Sequence, residues 1–319
     1  MEWIEWGNTM GQLDWERFLS LARCPAPGEP GDRCAGLLER RQHTLVCQTC
    51  AMTYALDDTT DMPIFAPRTL ADLAADKYED PTQRIVEGYV GLWAYGYLFI
   101  HRGEAEGFYR TITELGFSTP LAVDGPHRIL EIGCGVGRTA CDYARHYPNA
   151  FIVGIDYSPA MLNYAYQMVV GERPGARVTL SLDQEGFGEL SAPTFGLRNA
   201  FFAQANALQL PFADGQFDLV VSPNLIDRVP DPRQLLREIA RMVKPGGYAI
   251  MADPFNWTKQ PEWWARCQNV DDLATLFADI GLHVDVAFDG LIYREVKDKR
   301  GAFTDWPVAV VRATKGASS

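Results

Sequence analysis

The sequence predicts an α/β protein: a parallel sheet flanked by helices on both faces, with a small cysteine-rich module at its N-terminal side. Three observations predict it. Apolar, strand-like runs recur at 128–132, 151–155, 201–205, 217–221 and 247–252. Amphipathic segments at 137–146, 159–170 and 233–243 lie between some of them, and strands joined by helical crossovers run parallel with helices on both faces. Four of the seven cysteines (Cys24, Cys34, Cys47 and Cys50) fall within residues 23–66, a stretch rich in Pro and Gly.

The elements divide the chain into three parts. Residues 1–66 hold a short helix bearing Trp3, Trp6 and Trp15, then the cysteine module. Residues 67–126 read as a helical lid or substrate segment, from "TLADLAADKYED" to "AEGFYRTITELGF". Residues 127–319 carry the sheet. Within them 172–200 interrupt the alternation and are expected to form an irregular insertion near the sheet's edge or mouth. The runs "VDVAFDGLIYREVKD" and "DWPVAVVRATK" predict a terminal antiparallel strand pair.

Bulk properties narrow the partners. A chain of 319 residues can bury a sizeable core. No apolar run reaches the roughly 18–20 residues a membrane span needs. The opening "MEWIEWGNTMGQLDWERFL" is acidic and lacks the basic start of a secretory leader, so a cytoplasmic location is expected. The net charge of −12 argues against nucleic acid, whose binding draws on cationic side chains, and "RCAGLLERRQH" is the one concentrated basic stretch. A small-molecule substrate is the expected partner; the oligomeric state is not set by the sequence. An odd cysteine count without a leader argues against a disulfide framework.

"ILEIGCGVGRT" places Gly133, Gly135 and Gly137 after a strand and at the start of a helix, where the backbone must turn sharply and admit a ligand. Glu131 precedes the turn. "FIVGIDYSPAML" puts Asp156 at the end of the next strand, where a carboxylate can take both ribose hydroxyls of an adenosine group. The plain alternative is a solvated strand-end aspartate. The spacing G-x-G-x-G differs from the dinucleotide fingerprint, and Glu131 would oppose a pyrophosphate at the helix N-terminus. A cofactor bearing an amino group and a sulfonium would suit it.

Four motifs in order, "LEIGCGVGR", "GIDYSPAML", "ANALQLPFADGQFDLVVS" and "LLREIARMVKPGGYAI", resemble the class I S-adenosylmethionine-dependent methyltransferases over roughly residues 127–253. The resemblance implies a Rossmann-like sheet and S-adenosyl-L-methionine as cofactor. It implies Gly133, Gly135 and Gly137 around the methionine part, Asp156 on the ribose, and Tyr157 and Met161 near the adenine. Asn206 stands where the family carries an acid that accepts the adenine amino hydrogens, and the amide of Ala207 would meet the ring. An amide oxygen still accepts that bond, with weaker binding expected. Pro245, Gly246 and Gly247 read as a turn.

"SPNLIDRVPDP" releases Asn224, Asp227 and Arg228 at a strand end, which reads either as a solvated turn or as the floor of the ligand crevice. Asn224 would stand beside the cofactor. Many small-molecule members of the class carry a histidine near Arg228, and this chain does not. "NLIDRVPDPRQLL", "VKPGG", "DPFNW" and "DGLIYREVKDK" resemble the methyltransferase domain of ovothiol biosynthesis, which methylates an imidazole nitrogen of a thiolated histidine. That resemblance reaches up to "DKYEDPTQRIVEGYVGLWAYGY", spanning 76–313, and implies an imidazole or amino-acid-like acceptor.

A neutral imidazole nitrogen needs alignment and no strong base. Asp227 and Arg228 are the catalytic candidates. Arg228 and Arg294 would grip a carboxylate, and Asp227 or Glu295 would meet an ammonium or steer the ring; each also reads as a surface salt-bridge partner. The run Tyr89, Trp93, Tyr95, Tyr97 and Phe99 reads as core packing or as a lid with Tyr95 against substrate. Trp257 would add a stacking ring. Base methylation of RNA, and a homologue that binds without catalysis, are the alternative functions.

Cys47 and Cys50 form a C-x-x-C knuckle, while nine residues separate Cys24 from Cys34. Four thiolates suit structural Zn2+ and leave no open position for catalysis. "CAGLLERRQHTLVCQTCAMTYALDDTTDMPIF" resembles the zinc ribbon of small activators of tRNA methyltransferases. His43 is the substitute ligand should Cys34 stand apart. Free thiols in a Pro-rich module are the alternative. Cys134 and Cys141 read as packing residues.

Overall fold

A computed structural model describes residues 13–27, 33–65, 107–171, 177–182, 188–257, 260–296 and 302–317. Its main sheet has 11 strands in the order β1-β2-β3-β4-β9-β6-β5-β10-β11-β13-β12. These are β1 (Leu38–Arg41), β2 (Thr44–Cys47), β3 (Thr53–Leu56), β4 (Pro63–Ile64), β5 (Arg128–Ile132) and β6 (Phe151–Asp156). The rest are β9 (Ala200–Gln204), β10 (Phe217–Pro223), β11 (Val243–Asp253), β12 (Leu282–Val296) and β13 (Phe303–Lys315). Strands β9, β6, β5, β10 and β11 are mutually parallel. Every residue of β9 and of β10 is buried, which explains their unbroken apolar runs.

After β1–β4 have formed one edge, the parallel part of the sheet starts at its middle, with β5. The chain winds from β5 out to β6 and β9, then returns to the other side of β5 for β10 and β11. That reversal is a topological switch point, where the carboxyl ends of the strands part to form a crevice. β13 closes the far side, antiparallel to both β11 and β12. This is the Rossmann-like sheet of the class I methyltransferase fold, as the motifs imply.

The helices among the described residues are α1 (Trp15–Leu21), α2 (Gly107–Phe117), α3 (Arg138–His146), α4 (Pro159–Ala165), α5 (Pro232–Met242) and α6 (Val270–Asp279). α4 continues as a π turn through Tyr166–Val170, so the segment expected as one helix changes its winding midway. None of these helices is long and apolar enough to cross a membrane.

Residues 172–200 depart from the expectation of an irregular insertion. β7 (Arg177–Leu182) and β8 (Gly188–Pro193) pair antiparallel in a two-stranded sheet of their own. The sequence run Val178, Thr179 and Leu180 favours a strand by propensity, although it lies outside the strand–helix alternation.

The cysteine module is continuous with the main sheet. Strand β4 pairs parallel with β9 through Ile64 and Gln204, and Phe65 N donates to Gln204 O at 2.8 Å. α1 is too short to persist alone. It is held by Phe18, which stacks on Phe201 of β9 at 4.1 Å, and by Trp15, edge-on to the same ring at 5.3 Å. Burying a Phe side chain fully contributes about 1.5–3 kcal/mol.

Candidate functional site

Two loops distant in sequence meet at the carboxyl edge of the sheet. The first is the glycine turn between β5 and α3. Gly133 N and Cys134 N donate to Ile155 O at 2.8 and 2.9 Å, tying the turn to β6. Asp156, the last residue of β6, accepts from Gly135 N through Oδ2 and from Ser158 N through Oδ1, both at 2.8 Å. One carboxylate therefore holds the tip of the turn and the start of α4.

The glycines of the turn serve different ends. A Cβ on Gly133 would come within 3.0 Å of Leu225, and one on Gly137 within 3.0 Å of Ala165 and Phe202. The packing there is tight, and both glycines take the left-handed φ (+74° and +76°) that other residues rarely adopt. Gly135, at φ +51°, faces open space, with nothing within 4 Å of where its Cβ would stand. It is the cradle that a side chain would fill and a ligand can enter.

Glu131 is 2% exposed, and its Oε2 accepts from Ala140 N at 2.7 Å in the first turn of α3. It props the helix from within, where the partial positive charge of the N-terminus favours it. Burial still pushes its carboxyl up to about 8, with the charges of Asp142 and Asp156 adding to the rise.

On the other flank, Tyr157 is half-buried and its carbonyl accepts from Gln204 Nε2 at 3.1 Å. Met161 is buried in the first turn of α4, which Ser158 caps through Met161 N at 3.4 Å. Asn206 is exposed and Ala207 half-buried, in the loop after β9. The Asn206 amide oxygen accepts from Leu208 N at 2.9 Å, an Asx turn. One lone pair is thus spent locally, leaving the other for a ligand.

The second loop follows β10. Leu225 lies against Gly133, so this loop borders the glycine turn directly. Asn224 takes φ +53° and its N donates to Ala252 O at 2.7 Å. Its Oδ1 is buried and finds no partner among the described residues. An unmet buried acceptor costs about 1–3 kcal/mol, which a ligand donor would offset. The open cradle, the Asp156 carboxylate and this orphaned oxygen together fit an adenosyl-amino-acid cofactor.

Asp227 departs from the catalytic role expected of it. Its side chain is wholly enclosed, with Oδ1 2.8 Å from Arg228 Nε and Oδ2 accepting from Asn256 N at 2.8 Å. It orients Arg228, whose side chain is 23% exposed, and does not itself face a ligand. Behind it, Asp253 is fully buried and accepts from Ile226 N at 3.1 Å and Phe255 N at 2.8 Å. Burial, then the Asp227 charge, hold the Asp253 carboxyl well above the usual range.

Trp257 also differs from the stacking ring expected of it. It is fully buried, donates its indole N–H to Cys267 O at 2.5 Å and stacks on Trp263 at 5.3 Å, so it packs the core. Arg294 forms a bidentate pair with Asp305 across the β12–β13 ladder, 2.7 Å at each contact, and its guanidinium lies 3.9 Å over Phe303. Its guanidinium is thus committed to the β12–β13 ladder. Tyr95, with the aromatic run around it, lies outside the described residues.

Two residues that the sequence reading missed wall this end of the sheet. Tyr109 of α2 and Tyr293 of β12 meet edge-on at 6.3 Å, and the Arg138 guanidinium lies 5.6 Å from the Tyr109 ring. Burial pushes the Tyr109 hydroxyl up to about 12. Strand alternation sets Tyr293 and Glu295 on the face opposite Arg294, but alternation alone does not tell which face turns inward.

The cysteine module presents a second centre. The sulfurs of Cys24, Cys34, Cys47 and Cys50 all lie within 4.8 Å of one another. Cys24 Sγ to Cys50 Sγ and Cys34 Sγ to Cys47 Sγ are each 3.6 Å. A tetrahedron with metal–sulfur bonds of about 2.3 Å has edges of about 3.8 Å. Thr49 N and Cys50 N approach Cys47 Sγ at 3.3 and 3.4 Å, as thiolate acceptors require. Cys34 completes the set, and the exposed His43 is not part of it. The cluster can hold one structural metal ion.

Residues 130–251 match the family model described as "Methyltransferase domain". The chain is 32% identical over 133 residues to methyltransferase GfsG of Streptomyces halstedii, covering 42% of this chain and 40% of that protein. It is 29% identical to the demethylmenaquinone methyltransferase of Halalkalibacterium halodurans, covering 41% and 43%. It is 27% identical to the fatty-acid O-methyltransferase of Mycolicibacterium smegmatis, covering 58% and 61%. The chain thus spans about two-fifths of the length of the first two relatives. Among solved structures, the [4+2]-cyclase SpnF superposes with a TM-score of 0.46 at 19% identity, covering 66% of this chain and 81% of that one.

Replacing Cys47, whose sulfur sits at the centre of the knuckle, tests the metal centre. Cys47→Ser is expected to remove bound metal, read by elemental analysis of the purified protein, and to lower the Tm by about 5 °C or more.

Proposed function

We propose that the chain is an S-adenosylmethionine-dependent methyltransferase whose acceptor is a nitrogen of a small imidazole or amino-acid-like molecule. The observation that carries this reading is the Asp156 carboxylate gripping the turn at Gly135 while open space lies over that glycine. The cofactor, when bound, supplies an electrophilic methyl group. The chain's own residues do the rest. Gly133, Gly135 and Gly137 shape the cradle, the Asp156 carboxylate meets the ribose hydroxyls, and Asn224 Oδ1 accepts a donor. Asn206 and Ala207 serve the adenine side.

On the acceptor side Arg228 takes the substrate carboxylate, oriented by the enclosed Asp227. Tyr109 and Tyr293 line a wall against which a planar ring can rest. The net charge of −12 supports a small acceptor over a nucleic acid. So do its similarities to a demethylmenaquinone methyltransferase and to a fatty-acid O-methyltransferase. The Cys24–Cys34–Cys47–Cys50 cluster holds structural zinc, and its closed ligand set keeps the ion out of the chemistry.

Turnover tests the reading. Purified protein with S-adenosylmethionine is expected to release S-adenosylhomocysteine in the presence of histidine, thiohistidine or a related imidazole. Arg228→Ala should lower kcat/KM by about 10- to 100-fold, the loss expected of one charge-assisted grip. Release with structured RNA alone would contradict the acceptor assignment. Cofactor binding without turnover on any acceptor would contradict the catalytic one.

Cofactor binding should also depend on pH through Glu131. Its carboxyl, raised to about 8, holds a proton at pH 7 in the free protein. A cationic cofactor nearby favours the carboxylate, so binding releases that proton. Affinity is expected to rise between pH 6 and about 8 and to flatten above, read by calorimetry in buffers of different ionisation enthalpy. Glu131→Gln should remove the slope. An unchanged slope in that variant would leave Glu131 as a helix prop alone.

A further inference from the structure

The cysteine module touches the loop on the adenine side of the site, and it does so through residues next to its metal ligands. Arg23 precedes Cys24, Pro25 follows it, and Arg33 precedes Cys34. Gln209 Nε2 donates to Pro25 O at 2.6 Å, and a guanidinium nitrogen of Arg33 donates to Leu210 O at 2.9 Å. Arg23 N donates to Pro211 O at 2.8 Å, and Ala22 bridges Phe212 in antiparallel fashion. The gripped segment begins at the Asx turn of Asn206, where Leu208 N and Gln209 N both fold back onto that residue.

Helix α5 holds the same loop from behind. Leu210 N donates to Glu238 Oε2 at 2.7 Å, while Arg241 donates to Leu210 O at 3.0 Å and Phe212 O at 2.7 Å. Glu238, 4% exposed, stands between Arg241 at 2.6 Å and Arg33 at 3.8 Å. The loop is therefore clamped between a helix that belongs to the sheet domain and a module whose own rigidity depends on four sulfurs sharing one ion. Of the two clamps, only the second contains a group, the four-sulfur cluster, whose occupancy can change without any change of sequence.

We propose that metal loading of the Cys24–Cys34–Cys47–Cys50 cluster sets the conformation of loop 206–212 and thereby the affinity for the adenosyl cofactor, with Arg33 and Gln209 as the positioning residues that transmit it. The proposal rests on the cofactor reading above. Bound to one ion, Cys24 and Cys34 fix the backbone at 23–25 and 33–35, and the hydrogen bonds from those residues pass the restraint to 209–212. A structural metal would then act on the site through order in the loop, with no contact to either ligand or acceptor.

The test uses full-length wild-type protein, Arg33→Ala/Gln209→Ala, and Cys50→Ser, whose cysteine is exposed and so least disturbs the core. The readouts are bound zinc, amide hydrogen exchange over 206–212 and S-adenosylhomocysteine affinity by calorimetry. The double variant is expected to keep its zinc, exchange faster over 206–212 and bind about tenfold more weakly, the equivalent of one lost charge-assisted hydrogen bond. Cys50→Ser is expected to lose zinc and show the same two changes. Wild-type exchange and affinity in the double variant would overturn the proposal, as would wild-type affinity in zinc-free Cys50→Ser. If wild-type protein binds no S-adenosylhomocysteine, the cofactor reading and the affinity half both fall, while exchange over 206–212 still decides whether the module orders the loop.

Discussion

The hydrogen bond from Gly135 N to Asp156 Oδ2 joins the ends of the two strands at the heart of the sheet, and the site depends on it. β5 and β6 run parallel, so their carboxyl ends emerge side by side and the turns that follow must be kept from collapsing over each other. One carboxylate does this. It pins the tip of the glycine turn, and through its other oxygen it starts α4 at Ser158. With the turn so held, Gly135 faces open space, while Gly133 and Gly137 are locked against Leu225, Ala165 and Phe202. A side chain shorter by one atom or longer by one methylene would leave either the turn or the helix start without its partner.

A second acid, this one fully buried, plays a similar part across the crevice. Asp253, at the end of β11, supports two left-handed residues indirectly or directly, Asn224 and Phe255, both at φ +53°. Residues so disposed cost about 1–3 kcal/mol each and persist only where their surroundings over-determine them. Here the surroundings are Asp253 on two backbone amides and Asp227 on a third, with Arg228 alongside. Removing the cation of the Arg228–Asp227 pair would leave a buried carboxylate uncompensated, at a cost of about 3–5 kcal/mol. The strain is thus spent on aiming Asn224 and Arg228 at the edge of the sheet.

Much of this was legible in the sequence, and the parts that were not share a cause. The parallel strands and their crossovers were legible because burial on both faces writes long apolar runs, as in "FDLVV" and "FIVGID". The glycine turn and Asp156 were legible because their spacing is local. The cysteine cluster was legible as a set, although only folding could bring Cys34 to within 3.6 Å of Cys47 and leave His43 outside. Roles that depend on the partner across a sheet or a cavity were not legible. Arg294 reads as an available cation until β13 sets Asp305 opposite it, and Trp257 reads as a stacking ring until Trp263 closes over it. Asp227 reads as a catalytic acid until Asn256 and Arg228 enclose it. The continuity of the cysteine module with the main sheet rests on the pairing of Ile64 with Gln204, two residues far apart in the chain with no pattern to announce it.

The central claim is that the cradle over Gly135 takes an adenosyl cofactor, and titration calorimetry of S-adenosylhomocysteine into wild-type protein and Gly135→Val tests it most directly. One site per chain is expected in the wild type and loss of binding in the variant, with the circular dichroism of the fold retained: the left-handed φ of +51° strains the turn locally by about 1–3 kcal/mol, while no protein atom occupies the space the valine enters. Absence of binding in the wild type, or equal affinity in the variant, would contradict it.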